Sequence, residues 1–406
     1  MISVAEAQSR ILSALNPLPA ETISLHDAFG RILAEPVIAR VSQPPGPCSA
    51  MDGYAVRAQD LSCALPRALR CIGEIPAGSG FRGSMASGET VRIYTGASLP
   101  SGANAVVMQE DVTIDSRGAT VFHKTISPGH NVRQTGADFQ TGQIGIPVGK
   151  QITARDIGLA AAMNTPWVRV RRRPRIALLS TGNEIVQIGD PLGPHQIIGS
   201  NAPILAALVT ACGGVPINLG VAPDQPNALA AFAAGAEGAD LLVTSGGASV
   251  GRHDLVRDVL QRQGVALDFW KVAMRPGKPL LFGRFGAVPA LGLPGNPVSA
   301  FVCALLFLRP AIQQLLGQST EELHLMSARL RIDIPSNDER QTYLRATLSR
   351  STEGEMTVTP FTQQDSAALA LLATADCLVI RPPHAPAAAA GESVPILPFE
   401  NLNLRI

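Results

Sequence analysis

Between residues 172 and 322 short apolar runs alternate with segments of helical period. The runs read IALLSTG, VPINLGVAPD, DLLVTSGG, LDFWKVAM, PLLFGRF and VPALGLPGNP, and helical patterns fall at 201–210, 227–236, 254–263 and from Val298 onward. Apolar runs of this length, bounded by Gly and Pro, fit strands buried on both faces, and their alternation with helices predicts an α/β fold: a doubly wound, parallel or mixed sheet covered on both sides. In such sheets ligands sit beyond the carboxyl ends of the strands.

The flanking stretches carry other patterns. Residues 2–16 place Ile2, Val4, Ala5, Ile11, Leu12 and Leu15 at roughly helical spacing before Pro17, and a second short helix is expected at 25–33. Pro44, Pro45 and Pro47 then favour extended backbone leading to SAMDGYAV. From Val56 to about Gln140 short strands are punctuated by Gly and Pro, which predicts a small, mostly β domain. Helix returns at TARDIGLAAAMN, where Thr153 and Asp156 have capping-box spacing. After residue 323 the segments LHLMSARLRIDI, QTYLRATL, MTVTPF, DCLVIRP and ESVPILPF predict a β-barrel-like domain, with the Ala- and Pro-rich piece 385–390 as a loop.

Candidate chemistry concentrates at the predicted strand ends. The strand at 240–244 runs into Ser245, Gly246, Gly247, Ser249 and Gly251, whose free N–H groups and following helix would suit an anion. Asp254 follows, and Lys271, Arg275 and Lys278 supply cations. Thr181 and Glu184 end the first strand, Asp224 the second, and Pro294-Gly295-Asn296-Pro297 precede the last helix. Asp52-Gly53 reads on its own as a tight turn, and Thr95 and the pair Arg133 and Asp138 lie beside Gly turns of their own. Oxyanion donors, cations and dispersed carboxylates together fit an anionic or phosphorylated small molecule handled with Mg²⁺, which takes one or two carboxylates plus substrate phosphates.

Composition narrows this further. With 406 residues, 46% of them hydrophobic, the chain is long enough for three or four domains. The 33 basic and 32 acidic residues are interspersed, which argues against a nucleic-acid groove or a polybasic membrane patch. Six scattered cysteines lack metal-ligand spacing and suggest reduced thiols, the N-terminus lacks signal-peptide order, and no apolar run reaches the ~20 residues of a spanning helix, so a cytoplasmic location is expected. There is no Walker GKS, no GxGxxG after a first strand, no HExxH and no histidine cluster, and Ser249 has no base partner in view.

The ordered set SAMDGYAV, RIYTGASLPSGANAVV, RPRIALLSTGNEIV, SNAPILAALV, TSGGASVG, FWKVAMRPGKP and LGLPGNPVSAF resembles the molybdopterin molybdenumtransferase family, called MoeA, and the related E domain of gephyrin. The resemblance spans essentially the whole chain. It implies a discontinuous N-terminal domain at 1–43 and 141–171, an inserted mostly-β domain at 44–140, a MogA-like molybdopterin-binding domain at 172–322 and a C-terminal β domain at 323–406. It also implies a homodimer that binds adenylated molybdopterin, uses Mg²⁺, inserts molybdate and releases AMP. A MogA-type adenylyltransferase and recipient molybdoenzymes would be its partners. Carried over position by position, the family's acids and hydroxyls fall on Asp52, Thr95, Asp138, Glu184, Asp224 and Asp254, with Asp52, Glu184 and Asp254 as metal ligands, and its cations on Arg133, Lys271, Arg275 and Lys278. Arg275, Lys278, Ser299, Arg345 and Ser366 would resemble its molybdate pocket; read alone, Ser299 is also a plain helix-start hydroxyl and Arg345 a surface arginine. The chain departs from the family pattern at Gly46-Pro47-Cys48, where a Phe-Asp-Asn-like triplet is usual, and at Arg252, where an acid is common. A cofactor-binding carrier without transferase activity is the alternative these departures leave open.

Overall fold

In the computed structural model, which describes residues 1–62, 65–246, 267–318, 325–351 and 354–400, the chain forms two compact units. One comprises Met1–Glu21, Gly30–Ala34 and Val170–Ile406, the other Thr22–Phe29 and Glu35–Arg169.

The first unit is built on a six-stranded sheet in the order Val215–Ala222, Arg175–Thr181, Leu241–Ser245, Val288–Leu293, Leu281–Phe285 and Leu267–Trp270. The first four strands run parallel and each of the last two pairs antiparallel with the strand before it, so the sheet is mixed. Alternation along the strands sends side chains to opposite faces. Ile176, Leu178, Leu241 and Val243 meet Leu205, Leu208 and Val209 of helix Asn201–Ala211 and the apolar helix that starts at Pro297. Ala177, Leu179 and Leu242 meet Leu229 and Ala233 of helix Pro226–Ala234. The doubly wound arrangement therefore follows from uninterrupted apolar runs that supply both faces at once.

Helix Pro297–Leu315 is long and apolar enough to cross a bilayer, yet 78% of its most apolar window is buried inside the protein; it is a core helix. Its middle turn, Ala304–Leu308, widens to π geometry just before Arg309 and Pro310. Pro310 has no N–H to offer the carbonyl one turn back. That carbonyl, on Leu306, accepts instead from the Gln8 side-chain amide at 2.8 Å, which ties down helix Val4–Ser13.

Five strands, Met326–Leu330, Gln341–Arg350, Met356–Pro360, Cys377–Arg381 and Ser393–Pro398, pair in a closed ring. The barrel predicted from the C-terminal strands is thus present. Its interior holds Ala346, Val358, Val379 and Ile396, while Tyr343, Leu378, Ile380 and Leu397 face outward into the core shared with helix Pro297–Leu315. The short strand Met274–Arg275 leaves the α/β sheet and pairs in parallel with Gln341–Thr342 of the barrel. The run expected as one strand, LDFWKVAM, is therefore split between two sheets.

In the second unit a six-stranded sheet runs Ala105–Met108, Gly53–Val56, Glu89–Ile93, Arg67–Ile75, Thr120–Phe122 and Val112–Ile114. Gly53 opens the second of these strands because a Cβ there would lie 1.9 Å from the Val107 carbonyl oxygen. Helix Ala154–Ala162 begins with the expected capping box between Thr153 and Asp156. The short helix expected at 25–33 is only a single 3-10 turn, Leu25–Asp27. Gly30, at φ 73°, takes the backbone out of helical space before a second turn can form.

Candidate functional site

At the carboxyl edge of the α/β sheet, Thr181 and Ser245 end adjacent parallel strands and Leu293 ends the next one. Gly246 then turns with φ 95°, and a Cβ on it would lie 2.4 Å from the Thr181 carbonyl oxygen and 3.0 Å from its hydroxyl. Gly295 follows its own strand so closely that its Cβ position is 3.5 Å from the Gly246 Cα. The glycines thus let two strand ends meet side by side and leave a cleft of about 950 Å³ above them. That volume suits a cofactor-sized ligand.

Two helices point their N-termini at this cleft. Ser200 and Asn296, the residues before helices Asn201–Ala211 and Pro297–Cys303, make no side-chain cap to the first turn. The Asn201 amide instead donates to the Gly295 carbonyl at 2.7 Å, and the Asn296 amide donates to the Ser366 hydroxyl at 2.8 Å. Uncapped helix N-termini carry partial positive charge and attract anions. Arg275, Lys278 and Arg340 line the same cleft, with Glu184 and Asp365 as its acids among the described lining residues. The Thr181 hydroxyl and the Asn201 side-chain carbonyl are buried with no hydrogen-bond partner among the described residues. A polar ligand would find them at the floor and rim of the cleft.

The barrel supplies the remaining wall through a loop holding Gln364, Asp365, Ser366 and Ala367. Arg345, only 1% exposed, holds this loop from beneath. Its guanidinium donates to the carbonyls of Ala368 at 2.8 Å, Asp365 at 2.9 Å and Gln363 at 3.3 Å. Its backbone N–H donates to the Gln364 side chain at 3.1 Å, and that side chain donates back to the Arg345 carbonyl at 3.0 Å. Burial pulls the Arg345 pKa below the usual arginine value. The Ser366 carbonyl in turn accepts from Val298 at 3.1 Å, fastening the loop to the helix start.

In the second unit, Asp52 Oδ1 accepts from both the N–H and the hydroxyl of Thr95, each at 2.8 Å. Strand Cys48–Ser49 pairs with Val132–Arg133, so Asp52, Thr95 and Arg133 come from neighbouring segments of one edge. Asp138 is exposed, its N–H bonded to the Gln43 carbonyl at 3.0 Å. The Thr95 N–H and then its hydroxyl hold the Asp52 carboxyl below its ordinary value of 3.8. A depressed folded pKa means that the ionised link is fully formed above the unfolded value and is lost only as pH falls through the lower folded one. The Thr95 amide resonance is therefore expected to stay flat between about pH 5 and 9. A titration step inside that window, read by NMR, would contradict the pairing.

Of the positions expected from sequence, Glu184, Ser245, Gly246, Arg275, Lys278, Pro294, Gly295, Asn296, Ser299 and Ser366 all line the cleft. The Asp224 N–H donates to the Asn183 side-chain oxygen at 3.0 Å and the Asn183 N–H to the Asp224 carboxylate at 3.4 Å, and Asp224 shares with Glu184 a shallower concavity beside His195. Asp52, Thr95, Arg133 and Asp138 belong to the second unit, and two further expected residues of the first unit are also absent from the lining. The Lys271 ammonium lies 3.6 Å from the Trp270 ring centroid and is absent from the cleft lining, because the chain turns at Lys271 with φ 75° on leaving its strand. Arg345 is likewise absent from the lining and is no surface arginine, being buried under the loop. Gly247, Ser249, Gly251 and Asp254 lie outside the described residues. Sequence reasoning missed Arg340, Gln364 and Asp365, and the only signal for Arg340 is the pairing of Met274–Arg275 with the strand that begins one residue after it.

A wound sheet with an anion-seeking cleft at its carboxyl edge, walled by a small barrel, defines a protein that handles an anionic cofactor-sized molecule. Three family profiles match: "MoeA N-terminal region (domain I and II)" over residues 2–164, "Probable molybdopterin binding domain" over 177–314 and "MoeA C-terminal region (domain IV)" over 327–399. A molybdopterin molybdenumtransferase of Haemophilus influenzae is 35% identical over 406 residues, covering 99% of this chain and 100% of its own. Another, from a Nostoc species, is 40% identical over 336 residues, 81% of this chain and 77% of its own. The crystal structure of a molybdopterin biosynthesis MoeA protein from Pyrococcus horikosii superposes with a TM-score of 0.87 at 31% identity, over 98% of this chain and 99% of that one. The chain belongs to the MoeA family of molybdopterin molybdenumtransferases, transferases of molybdenum cofactor biosynthesis.

Proposed function

We propose that the protein inserts molybdenum from molybdate into adenylated molybdopterin, in a Mg²⁺-dependent reaction that releases AMP, and that it works as a cytoplasmic homodimer. The observation that carries this reading is the convergence of Arg275, Lys278 and Arg340 with two uncapped helix N-termini at one glycine-floored cleft. Positive donors so placed can hold phosphate and oxometalate oxygens together, and in a fixed arrangement they need little reorganisation as charge shifts. A MogA-type enzyme would supply the adenylate, and molybdoenzymes would receive the product. The division into four domains implied by the family resemblance is part of the same proposal.

Oxygen donors at the cleft suit Mg²⁺. Among the described lining residues the acids are Glu184 and Asp365, and Mg²⁺ takes one or two carboxylates together with substrate phosphates. Glu184, with Asp224 beside it, would hold the ion in the first unit; Asp52 and Asp254 keep their place as family-inferred ligands. When bound, Mg²⁺ would offset charge on the phosphate oxygens. Asn201, through the Gly295 carbonyl, and Asn296, through Ser366, keep the walls in register around the ligand. Arg133, Thr95 and Asp138 stay with this reading on the family resemblance.

The test combines purified protein with adenylated molybdopterin, Mg²⁺ and molybdate, and reads AMP release and activation of a cofactor-free molybdoenzyme. Turnover supports the proposal, and binding without AMP release would point to a carrier. Glu184→Gln is expected to lower turnover about tenfold or more while the pterin Kd stays within about twofold, because a carboxylate that orients the reacting groups acts mainly in the transition state. A raised Kd with turnover intact would remove Glu184 from that role.

A further inference from the structure

Among the described residues, two of the three cations lining the cleft, Arg340 and Arg275, share a carboxylate partner. Arg340 forks onto Asp338, with Nε 3.2 and 3.3 Å from its two oxygens and Nη2 closer still. Arg275 reaches the same carboxylate at 3.8 Å. Asp338 itself is not among the lining residues; its side chain is 33% exposed and lies beside two cations that are. The turn that carries it is fixed: the Asn337 amide donates to the carbonyls of Arg340, Pro382 and Arg381 at 2.7, 2.8 and 3.0 Å, and its oxygen accepts from the Thr342 hydroxyl at 2.8 Å. The Arg340 N–H also donates to Asp338 at 2.9 Å. The fixed turn and the Arg340 N–H thus hold the carboxylate beside the two guanidiniums.

We infer that Asp338 is a built-in counter-ion of the oxyanion seat, a specificity-determining residue that competes with the incoming oxyanion for Arg340 and Arg275. The inference rests on the reading that the cleft takes an oxyanion, and deepens it. The same carboxylate steadies both guanidiniums and lowers the net positive charge the ligand meets. Arg340, and more weakly Arg275, hold the Asp338 carboxyl down at about 2, so it stays ionised throughout the neutral range and the competition does not switch with pH. Repulsion from a fixed negative charge grows with ligand charge, so the penalty falls harder on dianions such as molybdate and sulfate than on nitrate. An oxyanion that must be handed on to another group is thereby held loosely enough to leave.

The experiment titrates molybdate, sulfate and nitrate into the full chain at low ionic strength by calorimetry. Asp338→Asn keeps the shape of the side chain and an acceptor for the Arg340 N–H while removing the charge, and is expected to tighten molybdate about fivefold, sulfate similarly and nitrate less, on the scale of exposed ion pairs. Asp338→Ser should act in the same direction, and serves as the deciding variant if Asp338→Asn does not fold. In an Arg340→Gln background the gain should shrink by half or more. Equal or weaker molybdate binding by the charge-free variants overturns the inference and leaves Asp338 as a residue that merely orients Arg340. If the wild-type chain takes up neither molybdate nor sulfate, and Arg275→Gln with Lys278→Gln changes nothing, the oxyanion reading itself fails.

Discussion

Replacing Arg345 with leucine is expected to destabilise the protein by about 3 kcal/mol and to raise KM for the anionic substrate, because three loop carbonyls lose their common donor. Leucine leaves the carbonyls of Gln363, Asp365 and Ala368 without the fork that gathers them. Each buried carbonyl left unpaired costs on the order of 1–3 kcal/mol, and partial rehydration of an exposed loop reduces the sum. The loop carries Gln364, Asp365 and Ser366 to the cleft, so its loosening should be read in binding as well as in stability. Denaturant unfolding measures the first effect, and hydrogen exchange at the loop amides, together with separate kcat and KM values, measures the second. Arg345→Lys should recover only part of the stability, since an ammonium cannot reproduce the planar fork. A leucine variant of unchanged stability that had lost anion binding would make Arg345 a direct ligand, as the family resemblance implied, and would remove the positioning role.

The different fates of the expected residues have a common cause. Strand ends of a wound sheet are legible because the apolar runs and their Gly or Pro terminators are local, and this is why Glu184, Ser245, Gly246 and the Pro294-Gly295-Asn296 turn can be assigned to the cleft from sequence. The barrel is legible as a set of short strands, but its closure depends on pairing between Gln341–Arg350 and Cys377–Arg381, which no local pattern encodes. Arg340 and Asp338 sit in SNDER, which reads as an ordinary solvated turn; only the parallel pairing of Met274–Arg275 with Gln341–Thr342 brings them to Arg275. Lys271 looks like a site residue by its company with Arg275 and Lys278, yet the positive φ at that residue sets its side chain over Trp270. The short helix expected at 25–33 fails for a related reason: apolar spacing supports it, and one glycine in left-handed geometry ends it.

The glycine floor gives the sharpest contrast between neighbouring positions. Gly246→Ala is expected to lower stability by about 3 kcal/mol or to prevent folding, and to weaken oxyanion binding about tenfold in whatever fraction folds. Its φ of 95° already excludes an unstrained alanine, and the new methyl would meet the Thr181 carbonyl oxygen at 2.4 Å. That oxygen belongs to backbone at the end of an adjacent strand, so the clash cannot be relieved by a side-chain rotation. The strand ends must part, and with them the seat between Ser245 and Gly295. Gly295→Ala, by contrast, places its methyl 3.5 Å from the Gly246 Cα, an ordinary contact, and is expected to change stability by less than about 1 kcal/mol. Thermal unfolding of the two variants side by side decides the matter. Equal stabilities would mean that the close approach of Gly246 to Thr181 does not shape the cleft, and the anion seat would then have to be sought away from this edge of the sheet.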